Sequence, residues 1–252
     1  MNAIFITGTA GSGKSLLTSR LLQWYIDRQS FPISINLDPG VVTLPYRPDV
    51  DVRDFIDISA LMERYNLGPN GSVIMASDMI ATKIDEIQDE VNNLNPDYVL
   101  IDTPGQIELF AFRISGSYFV SHFQCDNKVN LFLWDGMLVS TPINFVSIKL
   151  LASAVRLRLK IAQINILTKR DLVADKLKKV LRWAASTISL ESSLDKESDV
   201  EYSLLTKDLH RSMNKSGVDQ NLIAVSGSDS NGIGNLSAAL SRIVSQGEDS
   251  IG

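Results

Sequence analysis

The stretch Gly8-Thr9-Ala10-Gly11-Ser12-Gly13-Lys14-Ser15 satisfies the pattern G-x-x-x-x-G-K-[ST] at every fixed position. An apolar run, 3–6, precedes it and a helix-compatible segment, 16–22, follows it, which is the strand–loop–helix context that the pattern requires. The glycines allow a tight turn in which successive backbone N–H groups point at a phosphate, and the start of the helix adds a partial positive charge. The stretch therefore predicts a phosphate-binding loop.

Two side chains of this loop carry the expected chemistry. Lys14 is expected to bridge the β- and γ-phosphates of a nucleotide, and the Ser15 hydroxyl to ligate Mg²⁺. The competing interpretation is a glycine-rich turn that matches by accident, which the flanking strand and helix disfavour. The predicted nucleotide-binding residues here are Gly11, Ser12, Gly13, Lys14, Ser15 and Leu16.

A second motif, Asp102-Thr103-Pro104-Gly105-Gln106, follows the apolar run 98–101. A carboxylate at the end of a strand can hold Mg²⁺, directly or through a water molecule. A glycine shortly after it lets a backbone N–H reach the γ-phosphate. The pattern D-x-x-G is common by itself, but after a phosphate-binding loop in the same chain it becomes specific. We therefore predict that Asp102 is a metal ligand and that the stretch from Asp102 through Thr103 and Pro104 to Gly105 is a nucleotide-sensitive switch.

A third motif, Thr168-Lys169-Arg170-Asp171, follows the run 161–167. A fixed carboxylate at Asp171 can accept hydrogen bonds from N1–H and the exocyclic amine of guanine, a donor pair that adenine lacks. The stem of Lys169 can lie over the base or ribose, and Ser226 with Gly227 is placed to form a small loop against the base. The competing interpretation is a charged turn in which Asp171 caps the next helix. The order of the three motifs favours guanine recognition.

Composition excludes several other kinds of site. The chain has 252 residues and a net charge of −5, so we expect no direct nucleic-acid partner and no membrane. Cys125 is the sole cysteine and His122 and His210 are the two histidines, which disfavours a disulfide or a zinc site. The apolar window 143–167 is interrupted by four cationic residues, which rules out an uncharged membrane span. The chain enters an apolar run at once, so we expect no secretory leader and a cytoplasmic location.

Short apolar runs alternate with amphipathic segments, which is typical of a parallel sheet covered on both faces. We predict an α/β, three-layer, doubly wound P-loop NTPase fold with a mostly parallel sheet, in a single domain over 1–252. A helical Gly-Pro-Asn insertion is expected at about 67–95, and the polar segment 186–216 is either a solvated helical excursion or a mobile lid. The predicted strands are 3–6, 33–37, 98–101, 129–134, 161–167 and 222–225. The predicted helices are 16–22, 52–65, 143–159, 171–189, 231–246 and one capped by Ser77 that runs to Leu94. A non-helical turn at 68–71 is predicted between the helix 52–65 and the one that Ser77 caps.

Taken together, the chain resembles the GPN-loop GTPases, and among them the archaeal-like members with one domain. Beyond the three motifs, the resemblance rests on Asn36-Leu37-Asp38-Pro39, Gly68-Pro69-Asn70 and Glu108, and it covers nearly the full length. Leu16 and Gly40 depart from the residues usual in the family, but neither carries a group with an obvious phosphate role.

The resemblance implies a homodimer in which Gly68, Pro69 and Asn70 of one subunit enter the active site of the other. Asn70 would then approach the γ-phosphate and the attacking water. Asp38, Gln106 and Glu108 are the candidates for placing or polarising that water, with Asp38 also near Mg²⁺. Their side chains could instead cap turns or pair with Arg113. For the family as a whole, the resemblance implies a role in assembling a larger complex, with RNA polymerase as the partner of eukaryotic relatives.

Three functional hypotheses follow. The first is an Mg²⁺-dependent, homodimeric enzyme that hydrolyses GTP to GDP and phosphate and acts as a conformational switch. The second is an ATP-dependent small-molecule kinase on the same fold, which the predicted guanine contact of Asp171 disfavours. The third is a scaffold that holds GTP with negligible turnover.

Overall fold

In the computed structural model, which describes residues 1–197, 200–215, 222–227 and 231–248, seven parallel strands form one sheet. The strand order is β3-β2-β4-β1-β5-β6-β7, and every described pairing is parallel. The central strands are continuous apolar runs because both of their faces are covered. The strands are β1 Asn2–Gly8, β2 Pro32–Asn36, β3 Val50–Asp51, β4 Tyr98–Asp102, β5 Asn127–Asp135, β6 Ala162–Thr168 and β7 Leu222–Ala224.

The helices form a layer on each face of the sheet. Side chains alternate along β1, so that Ala3 and Phe5 enter one core cluster while Ile4 and Ile6 enter the other. Helices α1 and α10 cover the second cluster, and the remaining helices lie over the first. The predicted three-layer α/β fold is thus confirmed. The helices are α1 Lys14–Ile26, α2 Ile58–Tyr65, α3 Pro69–Met79, α4 Ile84–Leu94, α5 Ile114–His122, α6 Pro142–Leu159, α7 Ala174–Ala185, α8 Thr187–Leu194, α9 Val200–Lys215 and α10 Ile233–Glu248.

The Gly-Pro-Asn stretch starts a helix, and the non-helical turn predicted at 68–71 is wrong. Gly68 occupies the N-cap of α3 and Pro69 its first position, where the missing N–H of proline costs nothing. Ser77 is inside α3 and donates to the Val73 carbonyl at 2.8 Å, so it caps no helix. A 3-10 turn, Ile80–Lys83, then joins α3 to α4.

Two predicted helices are each divided in two by a capping side chain. The segment 52–65 forms a 3-10 turn, Val52–Asp54, and then α2, because Asp57 accepts hydrogen bonds from the first N–H groups of α2. The segment 171–189 contains α7 and the start of α8, because Ser186 caps α8 in the same way. Local side-chain competition for backbone donors explains both breaks.

The polar segment 186–216 forms helices α8 and α9 in its described part, with Ser198, Asp199 and Ser216 outside the described residues. Leu190 and Leu194 of α8 are fully buried in the first core cluster. Helix α9 packs on α6 and α8. Within the described ranges, no helix has the length and hydropathy that crossing a bilayer requires.

Strand β1 lies at the position in the sheet where the chain order reverses, between β4 and β5. In open α/β sheets, ligands bind beside the carboxyl ends of the strands at this kind of switch point. The three sequence motifs follow β1, β4 and β6, so the fold brings all three to one edge of the sheet.

Candidate nucleotide-binding site

The loop between β1 and α1 needs its glycines for different reasons. Gly11 and Gly13 have φ values of 71° and 94°, in the left-handed region that glycine favours. At Gly8 the limit is space, since an added Cβ would lie 2.7 Å from Ser12 Oγ and 2.9 Å from Leu133 Cβ. Ser12 Oγ is buried with no hydrogen-bond partner among the described residues. The loop thus presents backbone and one free hydroxyl at the start of α1.

Lys14 crosses the mouth of this loop and donates to three backbone carbonyls. Its Nζ lies 3.1 Å from the oxygens of Gly8 and Thr9 and 2.8 Å from that of Gly105. Burial lowers the pKa of Lys14, and the nearby charges of Asp102 and Asp38 partly oppose that shift. The ammonium is therefore largely desolvated and held by carbonyl oxygens that a phosphate can replace.

Asp102 has the features of a cation ligand. The residue is 1% exposed, and Tyr46 donates to its Oδ2 at 3.0 Å, while Oδ1 is buried with no hydrogen-bond partner among the described residues. Burial raises the pKa of Asp102 to about 6, against hydrogen bonds from Ser15 and Tyr46 and the charge of Lys14. An unsatisfied, desolvated carboxylate oxygen is costly unless a cation compensates it.

Mg²⁺ fits this arrangement. Nowhere in the described part of the chain do three or more His, Cys, Asp or Glu side chains form a metal cluster. Mg²⁺ needs no such cluster, because it keeps several waters and binds one or two protein ligands together with substrate phosphates. The Ser15 hydroxyl and the Asp102 carboxylate are hard oxygen donors of this kind.

Asp38 links two loops at the phosphate end of the site. Its Oδ2 accepts the Gly105 N–H at 2.8 Å, and its Oδ1 accepts the Gly40 N–H at 2.9 Å. The Gly105 residue is thus held on both sides, by Asp38 at its N–H and by Lys14 at its carbonyl. This N–H is the group that the D-x-x-G motif predicts for the γ-phosphate.

The other three predicted catalytic residues lie at the surface of the chain, and Gln106 directly follows Gly105 of the phosphate site. Asn70, Gln106 and Glu108 are all exposed. Pairing of the candidates with Arg113 is wrong, because Arg113 forms a two-pronged ion pair with Asp78 of α3.

At the other end of the site, the T-K-x-D motif is joined directly to the phosphate loop. The Thr168 hydroxyl lies 2.8 Å from the Ser12 carbonyl oxygen and 3.2 Å from that of Trp134. Lys169, at a positive φ of 56°, pairs with Asp135 at 2.6 Å. These contacts explain why the two motifs form one surface although Ser12 and Thr168 are 156 residues apart.

A cavity of about 360 Å³ opens between these motifs and α1. Asp171 lies in its lining, and the buried Ser226 donates to Asp171 Oδ1 at 3.1 Å. Capping by Asp171 is wrong, because α7 begins at Ala174 with Val173 in the N-cap position. The cavity is lined by Ser12, Gly13, Leu16, Leu17, Arg20, Thr168, Lys169, Asp171, Leu172, Val225 and Gly227.

Sequence reasoning missed three polar residues of the site: Tyr46 beside Asp102, Arg20 in the base-side cavity and Asp135 beside Lys169. Asp135 had a usable signal, since it ends a strand next to the switch point as Asp102 does. Tyr46 and Arg20 had none, because both act through contacts distant in the chain.

The fold and the site define a P-loop NTPase of the parallel α/β class. A family model described as "Conserved hypothetical ATP binding protein" matches residues 6–246. The chain is 34% identical to the GPN-loop GTPase PAB0955 of Pyrococcus abyssi over 71% of each sequence. It belongs to the GPN-loop GTPase family, as its motifs predicted.

Other similarities agree with this membership. The structure of PAB0955 in the apo form superposes with a TM-score of 0.85 and covers 96% of this chain and 97% of that one, at 26% identity. The GPN-loop GTPase QQT2 of Arabidopsis thaliana is 34% identical over 71% of this chain, and GPN-loop GTPase 1 of Saccharomyces cerevisiae is 31% identical over 79%. The chain spans about half the length of these two relatives, 47% and 52%.

Proposed function

We propose that this chain binds GTP with Mg²⁺ and hydrolyses it to GDP and phosphate. The observation that carries the proposal is the placement of Asp171, which Ser226 fixes at the lining of a cavity that also contains the phosphate loop. A carboxylate can accept hydrogen bonds from both N1–H and the exocyclic amine of guanine, a pair of adjacent donors that adenine lacks. The names of the relatives support the same reaction.

At the phosphate end, the proposal requires an exchange of partners. Lys14 gives up the carbonyl oxygens of Gly8, Thr9 and Gly105 for phosphate oxygens. Gly105 then loses the hydrogen bond from Lys14 to its carbonyl and the hydrogen bond from its N–H to Asp38. It is free to turn this N–H toward the γ-phosphate. Hydrolysis removes that contact, and the two loops return to Asp38. This exchange is the proposed switch.

Ser15 and Asp102 would hold Mg²⁺, and Asp38 would contribute once it releases Gly105. When bound, the ion neutralises charge on the β- and γ-phosphate oxygens. Tyr46 keeps Asp102 in one orientation through its hydrogen bond to Oδ2.

We further propose a homodimer in which Asn70 acts on the partner's γ-phosphate and water, with Gln106 and Glu108 in supporting roles. The start of α3 is exposed, so Asn70 is free to enter a second copy. Beside α3, a groove of about 670 Å³ exposes Phe112 at 41%, Ile114 at 84% and Tyr118 at 42%. Exposed apolar side chains next to α3 suit contact with a second copy of the chain.

The cellular part of the proposal rests on family membership. We propose a cytoplasmic protein whose GTP cycle serves the assembly of a larger complex such as RNA polymerase, without direct contact to nucleic acid or membrane. The net charge of −5 is compatible with this.

Two alternatives have support of their own. The matching family model is described as ATP binding, which supports the first alternative, an ATP-dependent small-molecule kinase. Lys14 and Asp38 both hold Gly105 through hydrogen bonds. If these bonds persist when GTP is bound, the Gly105 N–H does not reach the γ-phosphate. This supports the second alternative, a GTP-binding scaffold with negligible turnover.

Phosphate release by the purified chain with Mg²⁺, measured with GTP and with ATP at equal concentration, separates these alternatives. We expect release from GTP alone. Release from ATP would promote the kinase, and tight GTP binding without release would leave the scaffold.

Asn70→Ala tests the dimeric mechanism. We expect turnover to fall about 100-fold, the order of effect of losing one transition-state donor, while GDP affinity stays unchanged. Asn93→Ala, at an exposed asparagine of α4, is the matched control. An unchanged rate in Asn70→Ala contradicts the role of this residue in trans.

A further inference from the structure

Arg20 joins the phosphate helix to the loop that borders the base-side cavity. It lies on α1, four residues after Leu16 and therefore on the same face of the helix. Its Nε donates to the Gly227 carbonyl at 2.7 Å, although the two residues are 207 positions apart. A charged donor on a backbone carbonyl makes a strong and directional contact.

The same loop is pressed against α1 at a second point. A Cβ added to Gly227 would lie 2.4 Å from Leu16 Cδ2 and 3.0 Å from Leu16 Cγ. The loop therefore runs at a distance from α1 that only glycine allows with Leu16 in this position.

On its other side, the loop is tied to the residue that reads the base. Ser226 is fully buried and donates to Asp171 Oδ1 at 3.1 Å. Residues 226 and 227 are thus held between Arg20 and Leu16 on one side and Asp171 on the other. A shift of Gly227 changes the wall of the cavity next to Asp171.

We infer that Arg20 is a positioning residue for guanine, one that acts through Gly227 on the keto side of the base. The inference rests on the proposed function. Asp171 takes the N1–H and the amine, so the neighbouring O6 needs a donor from the wall that adjoins Asp171. Gly227 lies in the lining of the cavity that contains Asp171, whereas the Ser226 N–H already donates to the Asn231 carbonyl at 2.9 Å. Arg20 fixes the position of Gly227 through its carbonyl.

Three diphosphates separate the contributions, since inosine diphosphate lacks only the exocyclic amine while ADP lacks both the keto oxygen and N1–H. We expect Arg20→Ala to weaken GDP and IDP equally, by about tenfold, the effect of one hydrogen bond to a charged group. ADP affinity and the GDP-to-IDP ratio should not change. Asp171→Ala should instead reduce the GDP-to-IDP ratio, because it removes the acceptor of the amine.

Two further variants make the experiment decisive. Arg20→Lys keeps the charge and one donor, so we expect GDP affinity within about threefold of wild type. It also serves if Arg20→Ala does not fold. Arg28→Ala, at an exposed arginine just after α1, is the matched control and should leave all three affinities unchanged.

The outcomes distinguish the inference from the function on which it rests. A wild-type chain that binds ADP as tightly as GDP overturns the proposed function. A GDP-to-ADP affinity ratio that is unchanged in Arg20→Ala, whether because neither affinity falls or because both fall equally, overturns the role of Arg20 alone.

Discussion

Replacing Asp171 by asparagine is expected to move the base preference of the protein from guanine to xanthine. Ser226 donates to Oδ1 of Asp171 at 3.1 Å. In Asp171→Asn the amide oxygen takes this hydrogen bond, because an NH₂ group cannot accept it. The amide NH₂ is then directed into the base-side cavity, where the second carboxylate oxygen had been.

The magnitude follows from the hydrogen bonds exchanged. In the proposed complex, guanine gives two hydrogen bonds to the carboxylate, each of about 1.5–3 kcal/mol. In the variant at least one becomes a donor facing a donor, so GDP affinity should fall by about 3 kcal/mol or more, roughly 100-fold. Xanthine has a keto oxygen in place of the amine, which repels the native carboxylate and accepts from the amide. We expect xanthosine diphosphate affinity to rise by a similar factor.

Competition titrations against a fluorescent guanine nucleotide measure GDP, xanthosine diphosphate and ADP on wild type and variant. Asp175→Asn, at an exposed aspartate in the first turn of α7, is the control for the loss of a charge. Asp171→Asn would refute this reasoning by binding GDP within threefold of wild type, or by failing to gain affinity for xanthosine diphosphate.

Three further changes test other parts of the site and fold. Gly227→Ala should weaken GDP binding about tenfold through overpacking against Leu16, and adding Leu16→Ala to that variant should restore the affinity. Calorimetry measures both affinities, and a double variant that stays weak would contradict the proposed contact. Tyr46→Phe should raise the Mg²⁺ concentration for half-maximal nucleotide binding about tenfold, because Asp102, the proposed metal ligand, loses a hydrogen bond. An unchanged Mg²⁺ titration would exclude this role of Tyr46. Burial lowers the pKa of His210 from 6.5 to about 4, so the unfolded chain binds the extra proton first and stability falls as the pH drops from 6.5 towards 4. His210→Gln should flatten this fall, by about 2 kcal/mol after allowance for solvent screening, in denaturant titrations at several pH values. A fall as steep as that of the wild type would contradict this.

Much of the site was predictable because its chemistry lies at strand ends. Lys14, Asp102 and Thr168 each belong to a motif directly after, or at the end of, an apolar run, and parallel strands place their carboxyl ends at one edge. The order of the motifs along the chain was therefore enough to predict both the sheet and the meeting of phosphate and base residues.

Local sequence patterns gave wrong helix boundaries where the same pattern is compatible with two different structures. Gly68-Pro69 suits a turn and also the start of a helix, since proline is tolerated at the first helical position. Asp57 and Ser186 interrupt apolar periodicities that continue past them, because their side chains compete for backbone donors. At Asp57 and Ser186 a capping hydrogen bond decided the outcome, and periodicity does not report it. At Gly68 no side chain caps the helix, and proline at the first position is compatible with it.

The sequence by itself determined the class of fold, the three motifs and the family, since all of these depend on residue types at short spacings. Only the tertiary structure shows the contacts of Tyr46 with Asp102 and of Arg20 with Gly227, across 56 and 207 residues. It also decided that Asp38 holds Gly105. These contacts arise where loops from separate strands converge, and their geometry depends on the packing of the whole sheet rather than on any local pattern.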